Sequence, residues 1–558
     1  MKTFRQQLIA IQRRIYRKNV RRMQDNLGHN SAIKRYEKEY SHYLKNYEEI
    51  SNKAELIKKV LASDLVFHGD YHTLRQSQRS ILRVLREIKG KRDIILCLEM
   101  FHGSDQKYVD MFMAGKMSES SFLKKIDYSK KWSFSWSNWS PLISFCCRER
   151  IPVLGINTNC EDDSDLRSLR CRDQYSARII AKAVIRNPGK LVYVVDGDYH
   201  VSPNHLPNNV EQLLCQLDES VRSLIICQNE ENLYWKLCKQ GQEEADVLKV
   251  SENIYCLMNT LPANKIQSYL NWLDYSEDAY FPAHKDWEDD FVEDSGMMVQ
   301  DMATAIASPL NLELPPDALE RLLIYYASDL YFIDMIYDIP ELKGKIRLIK
   351  ERIRRDEGFL IEYERDGEES YLIYLANSSI NMAAEEACHF LNAVLRGRLN
   401  IALSLFDRFY RNVMTECLGF FGSKFINEKR KSNTENAIRR FLGNAKHDKP
   451  SFEDAENIKV ARLLLQHFYL QRKGADVQEF MKKFYPQYKS QSAVSRIFST
   501  QLGYMLGNRL YYAVKSGKFS VSKVREIFRD PFDESEKAFE CYLEIYNQIK
   551  KVNPVMRM

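Results

Sequence analysis

The tetrapeptide Gly-Asp-Tyr-His occurs twice in the chain, each time directly after an apolar run: LVFHGDYH spans residues 65–72, and LVYVVDGDYH spans residues 191–200. Both runs are short and rich in β-branched and aromatic residues, which is typical of strands that are covered on both faces. Four further runs have the same character: DIILCLEM at 93–100, IPVLGIN at 151–157, SLIICQN at 223–229 and VLKVSENIYCLM at 247–258.

Segments with helical periodicity separate these runs, at about 74–89, 104–126, 138–149, 165–187 and 208–218. Strands that alternate with helices form βαβ crossovers, in which helices flank a mainly parallel sheet. We therefore predict an α/β domain over residues 61–260. Because 558 residues are too many for one hydrophobic core, at least one further domain is expected.

The segments on either side of this domain differ from it in composition. Residues 1–60 have the pattern of basic amphipathic helices, which we expect to pack on the α/β domain with a solvated charged face, although such helices also contact membranes or nucleic acid. Residues 261–298 are acidic and lack strand pattern, which indicates a linker. We predict from this boundary that the fragment 1–260 folds alone.

The C-terminal half, residues 299–558, is predicted to be a mostly α-helical domain. Its apolar periodicity predicts helices over most of its length, including 316–338. One part is an exception: near 359–375, two strand-like runs flank Asp366-Gly367, a dipeptide that favours a tight β-hairpin turn.

Composition excludes several classes of protein. A net charge of +6 is mild for this length and predicts no nucleic-acid partner. No apolar run reaches the roughly 18–20 residues of a membrane span, and we expect no secretory signal because the N-terminus lacks a continuous apolar core. The 12 cysteines are scattered without a CxxC pair, which is typical of buried, reduced thiols. We therefore expect a cytoplasmic protein.

Acidic and histidine side chains follow three of the predicted strands. Ligands of parallel α/β sheets bind at the carboxyl ends of the strands, where side chains of different strands meet. The residues delivered there are Asp70, His72, Glu99, His102, Asp198 and His200. Imidazoles and carboxylates form divalent metal sites and general acid–base sites, whereas a single such residue after a strand commonly caps the next helix. We expect His72, Glu99 and His200 to share one site, with Asp70 as a further metal ligand.

The order of these motifs resembles the ChaN-like haem-binding uptake family, whose superfamily also contains Tiki, TraB and the erythromycin esterases. The resemblance covers about residues 60–230. The family pattern has a Gly-acid-x-His, a Leu-Glu-Met, an Arg-Asp and a Gly-x-x-His, matched here by Gly69, Asp70, His72, Leu98, Glu99, Met100, Arg172, Asp173, Gly197 and His200. The chain departs from the family at Asp70, where the family has Glu.

The resemblance implies a site at the strand ends that binds haem or a divalent metal ion. The family's haem ligand is a tyrosine, and the candidate cofactor-binding residues beside the two repeated motifs are Tyr71, Tyr199, His72 and His200. The residues expected to hold the ligands in place, through charge-assisted hydrogen bonds, are Arg172, Asp173 and Asp198.

Three functions are compatible with these motifs. The first is a ChaN-like protein that binds haem or a metal ion. The second is a metal-dependent hydrolase of the Tiki or erythromycin esterase type, in which His72, Glu99 and His200 would be catalytic. The third is a non-catalytic interaction protein that retains the fold. We place binding first because no separate nucleophile is visible, and we expect a small-molecule ligand, which is haem or an unknown substrate. A homodimer is also predicted.

The C-terminal half contains one further motif. Glu386 and His389 stand at i, i+3, and Glu385 and His389 at i, i+4, on a predicted helix. Glu-x-x-His is half of the ligand set of ferritin-like di-iron proteins, which need two such motifs. His467, the other histidine in a comparable setting, has no carboxylate at the required spacing. We therefore interpret the motif as part of a structural helix.

Overall fold

A computed structural model of the chain provides the coordinates. It describes residues 3–26, 31–160, 166–280, 288–315, 317–327, 332–365, 367–377, 379–398, 401–444, 452–489 and 492–554. The chain divides into two compact units: an α/β unit formed mainly by Ile15–Pro282, and a helical unit formed by Met1–Arg14 together with Ala283–Val555.

The α/β unit contains an eight-stranded sheet in the part of the chain that is described. Its strands are β1 (Glu49–Ser51), β2 (Leu65–Asp70), β3 (Ile94–His102), β4 (Val153–Asn157), β5 (Leu191–Gly197), β6 (Ser223–Gln228), β7 (Val247–Ser251) and β8 (Ile254–Leu257). Their order is β1-β7-β8-β6-β2-β5-β3-β4. From β8 to β4 all neighbours are parallel, whereas β1 and β7 pair antiparallel at one edge. The predicted fold class, a mainly parallel α/β sheet, is confirmed.

Helices precede, connect and follow the strands of this sheet along the chain. They are α1 (Phe4–Asn26), α2 (Ser31–Tyr43), α3 (Lys53–Ala62), α4 (Arg75–Ile88), α5 (Gln106–Met113), α6 (Glu119–Lys125), α7 (Tyr128–Lys131), α8 (Trp136–Glu149), α9 (Leu166–Arg186), α10 (Leu206–Cys215), α11 (Glu231–Gln240) and α12 (Pro262–Tyr280). The run at 247–258, predicted as one strand, is two, because the chain reverses between β7 and β8 and pairs them antiparallel.

The central strands of the α/β unit are continuous apolar runs because they lie in its core. Every residue of β2, β3 and β5 is buried. Helix α4 packs on the sheet through Ile81, Leu85 and Ile88, all of which have no exposed side-chain surface. Burying an aliphatic side chain of this size stabilises a fold by about 1.5–3 kcal/mol. This apolar packing fixes the strands whose carboxyl ends carry the candidate site.

Helices occupy much of the segment predicted as an acidic linker. Within 261–298 the structure has α12 and the start of a helix that begins at Glu288, while residues 281–287 lie outside the described residues. Helix α12 belongs to the α/β unit, because the Asn19 side chain donates hydrogen bonds to Ala263 O at 3.2 Å and to Gln267 Oε1 at 3.1 Å. The unit therefore extends past residue 260, where the sequence pattern alone had ended it.

The helical unit combines its helices with a small sheet. The helices are α13 (Glu288–Leu310), α14 (Phe332–Asp338), α15 (Ile346–Arg354), α16 (Ile380–Arg396), α17 (Leu405–Ile426), α18 (Glu435–Asn444), α19 (Phe452–Lys473), α20 (Val477–Lys489), α21 (Ala493–Lys515), α22 (Val521–Arg529) and α23 (Lys537–Ile549). The strands are β9 (Leu322–Tyr326), β10 (Phe359–Arg365) and β11 (Glu368–Leu375).

In this small sheet, β10 and β11 form an antiparallel hairpin, whose turn residue Asp366 lies outside the described residues. Strand β9 pairs parallel with β11. The predicted helix at 316–338 is therefore wrong over Leu322–Tyr326. Short apolar runs do not distinguish a strand from a buried helix by periodicity, and here the open edge of β11 supplies the backbone partners that a strand needs.

Two further expectations concern the whole chain. Cys160 and Cys171 form a disulfide, with Cα atoms 6.7 Å apart, so the prediction of reduced thiols is wrong for this pair. Cys160 lies in the segment that follows β4, and Cys171 lies on α9. Neither residue is in an apolar strand, so they are not the buried thiols that the pattern indicated. No described helix is both long enough and apolar enough to cross a membrane.

Candidate functional site

The two copies of Gly-Asp-Tyr-His lie side by side at the carboxyl edge of the sheet. Strands β2 and β5 are parallel neighbours, and their register pairs Asp70 with Gly197. On the other side of β5 runs β3, which carries Glu99 near its end. The three strands that end in acidic or histidine residues are therefore adjacent. His102, at the end of β3, instead pairs in register with Asn157 of the edge strand β4.

The structure brings His72, Glu99 and His200 together. His72 Nε2 lies 3.4 Å from Glu99 Oε2. A methyl group built on Gly197 would lie 3.3 Å from His72 Nε2, 3.4 Å from His200 Cδ2 and 3.5 Å from Glu99 Oε2. The tips of all three side chains therefore surround one point above Gly197. The cluster is largely enclosed, since Glu99 and His200 are buried and the His72 side chain is 20% exposed.

A buried aspartate orients each of the two histidines. His72 Nδ1 donates to Asp70 Oδ2 at 2.9 Å, and His200 Nδ1 donates to Asp173 Oδ1 at 2.6 Å. Because an ionised carboxylate only accepts hydrogen bonds, each ring must carry a proton on Nδ1. In the neutral rings Nε2 is then the atom with a free lone pair, and in His72 this atom points to Glu99.

The two aspartates are themselves held in place. Gln78 Nε2 donates to Asp70 Oδ1 at 2.7 Å, and the Tyr36 hydroxyl donates to Asp173 Oδ2 at 3.1 Å. Asp70 was predicted as a metal ligand. Its carboxylate oxygens accept hydrogen bonds from His72 and Gln78. Asp173 was expected to hold a ligand in place, and here its carboxylate contacts His200. Arg172 acts at longer range, where its charge is one of those that lower the pKa of Glu99.

Asp196 is a member of the cluster that sequence reasoning missed. Glu99, Asp196 and His200 each offer one oxygen or nitrogen atom, and these atoms lie within 4.8 Å of one another. The Gly197 N–H donates to both Glu99 Oε2 and Asp196 Oδ1 at 2.8 Å. The sequence contains a signal for Asp196, which is an acid inside the apolar run LVYVVDG. A strand buried on both faces does not accept a charge without a partner, so this residue could have been predicted to belong to a site.

The two acids differ in protonation. Burial raises the pKa of Glu99, but the charges of His72 and His200 outweigh burial and hold the pKa at about 2. Burial and the adjacent Glu99 charge raise the pKa of Asp196 well above its usual value. Burial lowers the pKa of His72, yet Glu99 and Asp70 together raise it. The surroundings therefore favour the ionised form of Glu99 and the protonated form of Asp196.

Asp198 faces a second residue that the sequence did not suggest. Its Oδ2 lies 3.9 Å from Nζ of Lys265 on α12, and both groups are buried. Burial raises the pKa of Asp198 to about 7, although Lys265 lowers it. Asp198 thus supports the site as one half of a buried ion pair with α12.

The two candidate tyrosines lie outside the cluster. The Tyr71 ring is covered by Lys265 Nζ, 4.9 Å from the ring centre. The Tyr199 ring packs edge-on against Tyr40, with ring centres 5.7 Å apart. Burial raises the pKa of both phenols, so neither readily becomes the phenolate that binds iron.

Aromatic rings line the accessible side of His72. The ring centres of Trp132 and Phe134 lie 4.7 and 4.8 Å from that of His72, and the Trp272 ring lies 5.1 Å from Phe134. Phe134 and Trp272 are partly exposed. The polar cluster therefore lies beneath an aromatic rim, an arrangement that suits a ligand with a flat or apolar part.

These features define an α/β protein with a histidine–carboxylate site at the strand ends. Residues 56–168 match the family model described as haem-binding uptake, Tiki superfamily, ChaN, so the resemblance found in the sequence is confirmed over that segment. The matched segment contains His72 and Glu99 but ends before His200.

Among solved structures, the chain is similar to one described as cofacial heme binding to ChaN of Campylobacter jejuni. The identity is 12%, and the match covers 32% of this chain and 87% of that chain with a TM-score of 0.26. No curated protein matches the chain.

Proposed function

We propose that the α/β unit binds one divalent transition-metal ion through Nε2 of His72, Nε2 of His200 and the carboxylate of Glu99. One observation carries this proposal: both imidazoles donate Nδ1–H to a buried aspartate, and their tips converge on one ionised glutamate. Metal-binding histidines almost always donate their other ring N–H to a carboxylate or carbonyl in this way.

The donor set indicates the kind of ion. Two imidazoles with one carboxylate occur in catalytic zinc sites and in non-haem iron sites, whereas Ca²⁺ and Mg²⁺ prefer oxygen ligands alone. A bound ion of this kind would act as a Lewis acid on a ligand that enters beneath the aromatic rim. Asp70 and Asp173 orient the two imidazoles, and Asp196 holds a proton next to Glu99.

Haem is a second candidate ligand. The family description supports it, and the Trp132 and Phe134 rings beside His72 suit a flat macrocycle. Tyr71 and Tyr199 fit the role of haem ligand poorly because they are covered and their pKa values are raised by burial. His72, at the accessible edge of the cluster, is the residue that would hold haem iron here.

Hydrolysis is the catalytic alternative within the same superfamily. Its support is the pair Glu99 and Asp196, whose surroundings push their pKa values in opposite directions, as in sites that combine an acid with a base. A retained fold without a ligand is the remaining alternative, and the homodimer and the cytoplasmic location stay predictions.

Metal binding to the purified full chain tests the proposal. After chelation, Zn²⁺ or Mn²⁺ binding is measured by titration calorimetry for the wild type, His72→Ala and His200→Ala, and haem is titrated separately by absorption spectroscopy. His42→Ala is the control, because this imidazole of the same unit is exposed and its Nδ1 lies 3.3 Å from Lys45 Nζ.

We expect both cluster variants to lose an ion that the wild type and His42→Ala bind. Haem binding that depends on His72 but not on Tyr71 would instead favour the haem candidate. Metal titrations that give the same curve for the wild type and for both cluster variants would refute the proposed site.

A further inference from the structure

A second histidine–carboxylate cluster lies inside the helical unit. Helix α16 carries Glu385, Glu386 and His389, and the neighbouring helix α17 carries Glu416. One ligand atom from each of Glu385, His389 and Glu416 lies within 4.8 Å of the other two. The Glu-x-x-His motif on α16 looked like an incomplete half-site in the sequence. The missing carboxylate comes from α17. The spacing of residues in the sequence does not indicate that α17 lies beside α16.

The His389 ring has the hydrogen bonding of a metal ligand. Its Nδ1 donates to Glu386 Oε2 at 3.1 Å. Its Nε2 is buried and makes no hydrogen bond within the described part of the chain. The nearest acid, Glu416 Oε2, is 4.0 Å from Nε2, which is too far for a hydrogen bond. The residue is 8% exposed, so Nε2 is shielded from solvent.

The distances leave room for an ion. Ligand atoms that bind Zn²⁺ lie about 2.0–2.2 Å from the metal, which places them roughly 3–4 Å from one another. The ligand atoms here lie within 4.8 Å of one another, and Glu416 Oε2 lies 4.0 Å from His389 Nε2. The ring also lies against the α17 backbone where Gly419 stands: a methyl group there would be 2.4 Å from His389 Nε2. Only a residue without a side chain allows His389 to occupy this position.

The cluster is rich in carboxylates, and arginines compensate part of their charge. Three carboxylates, those of Glu385, Glu386 and Glu416, surround one imidazole. Arg430 binds Glu385 at 2.5 Å, and the Tyr504 hydroxyl donates to the same carboxylate. The Glu416 carboxylate lies 4.0 Å from His389 Nε2. A cation between these groups would remove the cost of burying this third carboxylate.

We propose that Glu385, His389 and Glu416 bind one divalent transition-metal ion between α16 and α17, with Glu386 as the acceptor that orients His389. One imidazole and two carboxylates suit Zn²⁺, Mn²⁺ or Fe²⁺. The ion joins two helices of the helical unit and therefore stabilises that unit. This site is independent of the site proposed for the α/β unit.

The experiment uses the full chain with His72→Ala and His200→Ala, so that the site of the α/β unit does not contribute. After chelation, Zn²⁺ and, separately, Mn²⁺ are added, and bound metal is measured by equilibrium dialysis and thermal unfolding by circular dichroism. Glu416→Gln and His389→Gln are introduced into this background. The matched control is Glu428→Gln, since Glu428 is also a buried carboxylate of the helical unit but is paired with Lys515 at 3.0 Å.

We expect about one ion per chain in the background and in Glu428→Gln, with a higher unfolding temperature when metal is present. Glu416→Gln and His389→Gln should each weaken binding at least tenfold and abolish that temperature shift.

Two results would overturn the proposal: no bound ion in the background protein, or unchanged binding in Glu416→Gln. In either case the cluster is a structural network of His389 and its acids. A wild type that binds no more metal than the background would refute the site of the α/β unit alone and leave this one standing.

Discussion

Asp173 on α9 accepts a 2.6 Å hydrogen bond from Nδ1 of His200, which follows β5. The same carboxylate accepts a hydrogen bond from the Tyr36 hydroxyl of α2. Two helices and a strand end therefore determine the orientation of one imidazole. The equivalent role for His72 belongs to Asp70, which lies two residues before it in the chain.

The Asp173–His200 hydrogen bond should control metal affinity. We expect Asp173→Asn to weaken metal binding by about 10- to 100-fold, because loss of an outer carboxylate lowers ligand basicity and releases the ring orientation. Titration calorimetry measures this change. Tyr36→Phe is the control, since it removes the other contact of Asp173 and leaves the bond to His200. Equal metal affinities for Asp173→Asn and Tyr36→Phe would show that the Asp173–His200 hydrogen bond does not affect the metal affinity of the site.

Gly197→Ala should block the site without unfolding the protein. The new methyl group would lie within 3.5 Å of His72, Glu99 and His200, at the point that their tips surround. Crowding of this degree typically costs about 1–3 kcal/mol, so we expect a folded protein that no longer binds the ion. Gly344→Ala, where a methyl group meets no atom within 4 Å, is the control. Wild-type affinity in Gly197→Ala would place the ion elsewhere.

The buried pair Lys265–Asp198 should stabilise the α/β unit. Burial lowers the pKa of Lys265, but Asp198, Glu231 and Glu230 outweigh burial and raise it, so Lys265 is charged at neutral pH. We expect Lys265→Met to lower the free energy of unfolding by about 3–5 kcal/mol, because it leaves buried acids without a cation. Urea denaturation measures this change.

The control for this substitution is Lys239→Met, which alters an exposed lysine of the same unit. It should change the free energy of unfolding by no more than about 0.5 kcal/mol. If both substitutions cost the same, the buried pair contributes nothing.

His467 should make the protein less stable in acid. Burial lowers the pKa of His467 to about 3, whereas an unfolded histidine titrates near 6.5. Above about pH 6.5 both states are neutral, and below it only the unfolded state takes up a proton, so stability falls as the pH drops towards 3.

The comparison of wild type with His467→Gln isolates this effect. We expect the difference in their free energies of unfolding to be constant above pH 7. Below pH 6.5 the wild type should lose stability relative to His467→Gln by up to about 1.4 kcal/mol per pH unit. Denaturant titrations at pH 7.5, 6.5 and 5.5 measure it. A difference that does not vary with pH would contradict the depressed pKa.

The independent fragment should end near residue 282. The fragment 1–260, predicted from sequence, lacks α12 and with it Lys265, the bond from Thr73 to Ser268 and the bond from Trp272 to Ser133. We expect residues 15–282 to unfold cooperatively and residues 15–260 to be aggregated or poorly packed. Thermal unfolding followed by circular dichroism distinguishes the two. Cooperative unfolding of the shorter fragment would show that α12 is dispensable.

Local sequence determined the parallel sheet and most of its candidate site. Short apolar runs separated by helical segments predicted the strands, because residues buried on both faces of a sheet are apolar without alternation. Parallel strands place their carboxyl ends at one edge, so His72, Glu99 and His200 could be assigned to a common site before their distances were known. Each strand, and each residue at a strand end, was predicted from residues close together in the chain.

Only the tertiary structure decided which polar groups support that site. The Asp173 bond to His200, the Lys265 pair with Asp198 and the approach of Glu416 to His389 each join elements whose packing no spacing in the sequence specifies. The same holds for α12, whose acidic surroundings indicated a linker although its first turns are anchored by Asn19. Such contacts arise from how whole elements pack, and packing depends on the shape of the complete core rather than on the pattern of any one segment.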